Sequence, residues 1–324
     1  QIGDFFEQLR DVVENDSSVL PDKIIIIGDE KIDCGCGDKP QSGMKVVNLE
    51  LLPYCYGELS DSDLSMCSFD MILFKGKWPV FWGSDSHSRY WYQLYYQDFI
   101  ERELMRLINL KNLSRFENFF KELAATVGYP INLSELGRKV GVSHHTIREW
   151  ILVLERSFWV YRVKAFGESY QKRVVKSDRL YFYDTGLLSW ILGIDSPEQL
   201  TKHPLRDNIG ENWIVTELHK HFSHYGCTMS SYYWKARTGL GISLIVEHEK
   251  VLIPIKIKLQ KRYDSRLITA IRKWRDKICQ TSGQPCVVYE GDKNHYMDGI
   301  ICFSWRDIDL LARKLEFGRT TCEQ

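Results

Sequence analysis

Between Asn132 and Glu155 the chain reads N-L-S-E-L-G-R-K-V-G-V-S-H-H-T-I-R-E-W-I-L-V-L-E, with apolar residues at helical spacing in two short runs. Leu136 and Val140 form the inward stripe of a first helix, for which Ser134 is the expected cap. Gly141 permits a tight turn, and Ser143 is placed to cap a second helix. There Ile147, Trp150, Ile151 and Leu154 recur at i, i+3, i+4, i+7, while His144, His145, Arg148 and Glu149 hold the opposite face. The pattern is that of a helix-turn-helix. It reads either as a DNA contact made by the second helix in a major groove or as a packed hairpin joining two domains.

Periodicity elsewhere predicts an alternation of helices and strands. Residues 4–14 read as an amphipathic helix, and K-I-I-I-I-G (Lys23 to Gly28) as a strand buried on both faces. A polar, Gly-rich loop follows over 29–43, then a strand from Val46 to Leu52 and a loop through Asp70. Tyr90 to Leu110 carries Tyr92, Tyr95, Tyr96, Phe99, Ile100, Leu104 and Leu107 along one helical face, a spacing that fits a core better than a stacking platform. A helix from Phe116 to Val127 is stopped by Gly128 and Pro130.

After the helix-turn-helix, strands are expected at Phe158–Val163 and Arg179–Tyr183. The loop between them, with Lys172, Arg173 and Lys176, lies where a winged helix has its wing. Asp184-Thr185-Gly186 starts a helix over Leu187–Leu192, and further helices are read at Pro197–Leu200 and Asn208–His221. The last part alternates strands (Ser231–Lys235, Ile242–Glu247, Val251–Lys258), a helix (Leu267–Ile278), strands (Pro285–Tyr289, Gly299–Phe303) and a closing helix (Trp305–Leu315). That order predicts an α/β arrangement with a mixed sheet.

Composition narrows the function classes. Of 324 residues, 44% are hydrophobic and 27% charged, the balance of a soluble globular protein with two or three domains. Lys plus Arg and Asp plus Glu number 43 each, so attraction to nucleic acid must come from local patches. From Ile131 to Leu180 there are ten Lys or Arg against five Asp or Glu, a surplus usable for phosphate contacts or simply solvated. No apolar run approaches the roughly 20 residues of a membrane span and no leader opens the chain, so a cytoplasmic protein without membrane contact is expected.

Nine cysteines, at 34, 36, 55, 67, 227, 279, 286, 302 and 322, lack paired C-x-x-C spacing and read as reduced, mostly buried thiols. Cys34-Gly35-Cys36 is a weak metal signal. No G-x-x-x-x-G-K-[ST] phosphate loop occurs, so these 324 residues alone are not expected to hydrolyse ATP.

The succession of motifs Y-x-x-Y-Y-Q-D-F-I-E-R-E (92–103), F-x-x-F-F-K-E-L-A-A-T-V-G (116–128), the helix-turn-helix, K-S-D-R-L-Y-F-Y-D-T-G-L-L-S-W-I-L-G (176–193), G-E-N-W-I-V-T-E-L (210–218) and Y-Y-W-K (232–235) resembles a known family. It is similar to prokaryotic AAA-type ATPases of unknown function whose C-terminal region joins a winged helix to a restriction-endonuclease-like domain. The resemblance implies four parts: a remnant of the ATPase α/β domain (1–85), a helical lid or linker (86–128), a winged helix-turn-helix (129–193) and a nuclease-like α/β domain (194–324).

Two departures from the family pattern bear on activity. Where a Thr-Gly-Ser usually ends the late ATPase strand and senses nucleotide, this chain has Ile27, Gly28 and Asp29, and a carboxylate faces phosphate with the wrong charge. Where the nuclease pattern resembles G-x-E-V-D and E-x-K, the acids are replaced by Gly241, Ser243 and Lys256. Only Lys258 matches, with Glu211 the remaining acid. One carboxylate beside two ammonium groups is a poor divalent-cation site, so cleavage is not expected. Lys256, Lys258, Lys261, Arg262 and Arg266 read either as a surface for a nucleic-acid backbone or as the polar side of a half-buried strand in a docking module.

The expectation is a catalytically degenerate or truncated relative that binds DNA through Ser143, His144, His145, Thr146 and Arg148, helped by Lys172, Arg173 and Lys176. No catalytic residue, metal or cofactor is assigned to these 324 residues. Two alternatives stay open: the C-terminal part of a working ATPase, with ATP and magnesium bound by a segment upstream of Gln1, and a scaffold that binds a protein partner or a second copy.

Overall fold

The computed structural model describes residues 50–59, 67–82, 88–105, 113–167, 177–224, 230–236, 239–260, 266–277 and 282–316. These form ten α-helices and a single eight-stranded mixed sheet. The expected strand at Lys23–Gly28, Cys34, Cys36 and most of the first 49 residues' predicted elements lie outside the described residues.

The first helix among the described residues, α1 (Phe69–Lys75), begins where the loop expected through Asp70 ends and falls on a stretch given no element in the sequence reading. Ser68 caps it by accepting the Met71 N–H at 3.2 Å, and Gly76, at φ 72°, ends it. Of the strand expected at Val46–Leu52 only Glu50, Leu51 and Leu52 are described, and they are not strand; Leu51 stands exposed. Helix α2 (Ser88–Phe99) runs into a π-helical turn at Ile100–Leu104. Its Tyr92, Phe99 and Leu104 are buried, so the aromatic stripe is core, as its spacing predicts. Helix α3 (Leu113–Ala124) buries Phe116, Phe119, Phe120 and Leu123.

Helices α4 (Leu133–Val140) and α5 (His144–Arg156) form the expected hairpin, with one correction. Asn132, not Ser134, caps α4: its side chain accepts the Glu135 N–H at 3.1 Å, two residues earlier than the expected cap. Three-residue spacing between Asn132 and Glu135 suits that cap, and Ser134 is left exposed inside the first turn. Strands β1 (Val160–Ala165) and β2 (Arg179–Phe182) then pair antiparallel.

Asp184 caps α6 (Thr185–Ile191) through the Leu187 N–H at 2.8 Å, and Ser196 caps α7 (Pro197–Thr201). Helix α8 (Arg206–His224), the longest among the described residues, extends past both ends of the predicted one and is buried along most of its length. Strands β3 (Ser230–Lys235), β4 (Gly241–His248) and β5 (Val251–Lys258) form an antiparallel meander, followed by α9 (Arg266–Lys277) and β6 (Cys286–Tyr289). The short β7 (His295–Met297), absent from the sequence reading, pairs antiparallel with β8 (Ile300–Ser304). Helix α10 (Ile308–Glu316) is the last described element and follows a 3-10 turn at Trp305–Asp307.

Strand order is β2-β1-β3-β4-β5-β6-β8-β7. The β1–β2 hairpin is therefore continuous with the C-terminal sheet, through parallel pairing of Lys164 and Ala165 with Tyr232 and Tyr233. Alternation splits the interior into two layers. Leu244, Val246, Ile255, Ile257, Cys286, Val288, Ile301 and Phe303 face the side covered by α8 and α10; Ile242, Ile245, Val287, Ile300 and Cys302 share the other side with Ile268, Ile271 and Trp274 of α9.

The edge at β2 is finished by a side chain. The buried Asn212 amide accepts the Phe182 N–H at 2.7 Å and donates to the Phe182 carbonyl at 2.8 Å, so one residue of α8 imitates a neighbouring strand. A strap made of residues 54–59 and 76–78 lies against the same helix. Lys77, 1% exposed, sets its Nζ 2.5 Å from Glu217 Oε2, between the rings of Trp213 and Tyr56. Glu217 Oε2 also accepts the Tyr56 N–H at 2.6 Å, and Lys220 donates to the Tyr54 carbonyl at 3.1 Å.

Candidate functional site

Two regions carry the residues to which the sequence points. At the helical hairpin, Gly137 and Gly141 set the turn. Gly141 sits at φ 76°, and a Cβ on Gly137 would lie 2.7 Å from the Val142 carbonyl, so the helices approach more closely than a larger residue allows. The Gly137 carbonyl accepts both the Gly141 and Val142 N–H groups, at 2.8 and 2.9 Å. Ile147, Trp150, Ile151 and Leu154 are buried against α3 and the rest of the core; Phe116 and Phe119 meet the Trp150 ring at 5.4 and 5.2 Å.

The opposite face of α5 is open. His144, His145, Arg148 and Glu149 are exposed at its start, with the two imidazoles 4.2 Å apart. Ser143 Oγ accepts the Thr146 N–H at 3.1 Å and lies 3.0 Å from Thr146 Oγ1, so both hydroxyls take part in the cap. The first turn of α5 contains no acid, which leaves the positive end of the helix dipole uncompensated.

Part of the local basic surplus is already paired. Arg162 grips Glu155 through two bonds, at 2.9 and 2.7 Å, and lies 3.5 Å from Asp178; Lys139 pairs with Glu122 at 2.9 Å. Arg138, Arg148, Arg156 and Lys164 remain exposed, with no ion pair among the described residues. Lys172, Arg173 and Lys176 lie outside the described residues, as do Gly28, Asp29, Lys261 and Arg262.

The second region gathers Glu211, Gly241, Ser243, Lys256 and Lys258 where β2, β4, β5 and α8 meet. Glu211 Oε1 accepts from Arg179 at 2.9 Å and from Tyr181 at 3.1 Å, and Glu211 Oε2 from Ser243 at 3.2 Å. Lys256 reaches the Gly241 carbonyl at 2.9 Å, while Lys258 lies 3.5 Å from Asp207 on the rim. Ser243 also accepts the Ile257 N–H at 3.2 Å. Burial draws the Lys256 pKa below its ordinary value; Glu211 opposes the shift, and Arg179, Lys258 and Lys235 reinforce it. Burial and Glu211 push the Tyr181 hydroxyl up.

Both Glu211 oxygens are thus occupied by donors from this chain, and no second carboxylate faces it among the residues named. Such a cluster suits an anion better than a divalent cation. Arg179 and Tyr181 were missed in the sequence reading. Their i, i+2 spacing on one strand face was the available signal, because it aims both side chains to one side.

Comparison with known proteins places these regions in matched segments. Residues 66–198 match a family described as a domain of unknown function (DUF8612), and residues 206–308 match another domain of unknown function (DUF4143). Each covers less than half of the chain. The chain is 26% identical over 250 residues to an uncharacterized protein of Mycobacterium tuberculosis, and equally to one of Mycobacterium bovis. Those alignments take in 76% of this chain and 54% of each relative, so the chain spans about half the length of the curated relatives it matches. No solved structure matches it. Among the described residues no helix is long and apolar enough to cross a membrane.

Proposed function

We propose that this chain binds duplex DNA through the start of α5 and belongs to a catalytically degenerate branch of AAA-type ATPase relatives, with a winged helix beside a nuclease-like domain. The observation that carries the reading is the asymmetry of α5: one stripe is fully packed, and the other presents His144, His145 and Arg148 around an uncompensated helix N-terminus. Donors of this kind bind phosphate, and a helix of 13 residues presenting them at its tip has the form of a recognition element. The match to DUF4143, a domain found in AAA-ATPase-associated proteins, supports the family part of the proposal.

The nuclease-like region contributes no cutting. A metal-dependent nuclease needs carboxylates free to coordinate, and Glu211 is held by Arg179, Tyr181 and Ser243. Titration of labelled duplex DNA at low and moderate salt tests the binding claim. The expected result is salt-sensitive binding weakened by Arg148→Ala. Binding absent at low salt, or indifferent to that change, removes DNA contact and leaves a protein-docking hairpin.

A second reading is favoured by one observation, the greater length of the curated relatives. In it this chain is the C-terminal part of a working ATPase, with nucleotide and magnesium held by an upstream segment. Reading the gene upstream of Gln1 for a strand followed by a phosphate loop decides it.

A further inference from the structure

One polar cluster is used neither by the DNA-facing helix nor by the Glu211 region. Helix α8 presents Glu217, Lys220 and His224 on one face, at i, i+3 and i+7, toward the strap. Glu217 and Lys220 hold Tyr56 and Tyr54 by their backbones. His224, at the end of the helix, meets Glu58 instead, with Nδ1 3.5 Å from Oε2. Cys55 completes the group. A single 3-10 turn (Tyr56–Glu58) brings Cys55 and Glu58 together, so that the Cys55 N–H donates to Glu58 Oε2 at 2.7 Å. The thiol sulfur, a Glu58 oxygen and a His224 ring nitrogen all lie within 4.8 Å of one another.

We propose that Cys55, Glu58 and His224 form a binding site for one zinc-class divalent cation, which fastens the strap to the end of α8. The donor set argues for that class: thiolate and imidazole suit zinc and cobalt, and a carboxylate serves as third ligand with water as the fourth. The Cys-x-x-Glu spacing across one turn does what a Cys-x-x-Cys knuckle does, holding two ligands on one side of a tight bend. A carboxylate has two oxygens, so the cap on Cys55 leaves one for the metal. Cys55 is buried while Glu58 and His224 open toward solvent, which gives a sulfur shielded from oxidation and a path of entry.

Without metal, burial pushes the Cys55 thiol up to about 12, with Glu217 and Glu58 adding to the shift and Lys77 opposing it. Binding therefore exchanges the thiol proton for the cation, one sulfur–metal bond forming as one proton leaves to solvent. Affinity rises with pH.

The test uses the full chain, reduced and stripped with chelator, and titrated with Co²⁺ alone. The expected result is saturable uptake of one equivalent with thiolate-to-cobalt charge-transfer absorption in the near ultraviolet, displaced by Zn²⁺. Cys55→Ser abolishes that band. Glu58→Gln and His224→Ala weaken binding at least tenfold, and Cys34→Ser with Cys36→Ser leaves it unchanged. Absence of saturable uptake, or a band that survives Cys55→Ser, overturns the proposal. Should Cys55→Ser fail to fold by circular dichroism, Glu58→Gln decides, since its side chain is half exposed: unchanged affinity in that variant overturns the site.

Discussion

Replacing Glu217 by Gln removes the carboxylate that, among the described residues, pairs with Lys77 and Lys220 at the seam between the strap and α8. All three side chains are at most 2% exposed, so solvent cannot take over the pairing. Breaking one partner of a buried ion pair costs about 3–5 kcal/mol. For a chain of this size that lowers the melting temperature by roughly 5–10 °C. The pH dependence is more diagnostic. Burial, set against Glu217, holds the Lys77 ammonium at about 8, below its ordinary 10.5. Below pH 8 the wild-type ammonium is charged in both folded and unfolded states and contributes no slope. In Glu217→Gln the folded ammonium sheds its proton at lower pH while the unfolded chain keeps it. The unfolded state then binds more protons, and stability climbs with pH toward 8, by up to about 1.4 kcal/mol per unit. Above pH 8 wild type and variant climb together, so their difference becomes constant. Urea unfolding followed by circular dichroism between pH 6 and 9 reads this directly. A cost below about 1 kcal/mol, or a difference that widens as pH rises from 6 to 8, refutes the assignment of Glu217 as counter-charge.

Other consequences are simpler to read. Glu217 itself is held below the usual carboxylate range by Lys77 and Lys220 against the pull of burial, so wild-type stability falls as pH drops through and below about 4.5, and Glu217→Gln flattens that limb of an acid titration. Gly137→Val forces a side chain against the Val142 carbonyl and destabilises the hairpin by about 1–3 kcal/mol, measurable as a lower urea midpoint. Asn212→Ala leaves the Phe182 N–H without its acceptor and the Phe182 carbonyl with only the Thr216 hydroxyl, at 3.1 Å; it costs about 1–3 kcal/mol, with faster amide exchange at Phe182. Incubation of supercoiled DNA with magnesium or manganese gives no cutting above background; cutting lost in Lys258→Ala contradicts the reading of Glu211 as a fully engaged acid.

What the sequence made legible was local. The buried stripe of α5, the Ser143 cap and the Asp184 helix start follow from residues three or four apart, and each is found in place. The half-buried strand at Val251–Lys258 is likewise visible in its alternation, with Ile255 and Ile257 buried and Lys256 and Lys258 on the other side. What it hid was long-range. Parallel pairing of β1 with β3, which joins the hairpin strands to the C-terminal sheet, has no local signature. Lys77 lies far from Glu217 in the chain, and nothing in the K-G-K-W run distinguishes a lysine that ends up buried between Trp213 and Tyr56. Helix α1 escaped notice because seven residues supply barely two turns of periodicity. The partners of Glu211 were hidden in the same way: the strand at Arg179–Tyr183 is legible, but only the fold brings Arg179 and Tyr181 to α8.

The central claim, that the open tip of α5 contacts the DNA backbone, is tested most directly by the salt dependence of duplex binding in wild type and Arg148→Ala. The account predicts a linear fall of log affinity with log salt, and a slope about 1 smaller in magnitude in the variant, as one phosphate contact is lost. Identical slopes and affinities for the two proteins, or no binding by either at low salt, contradict it.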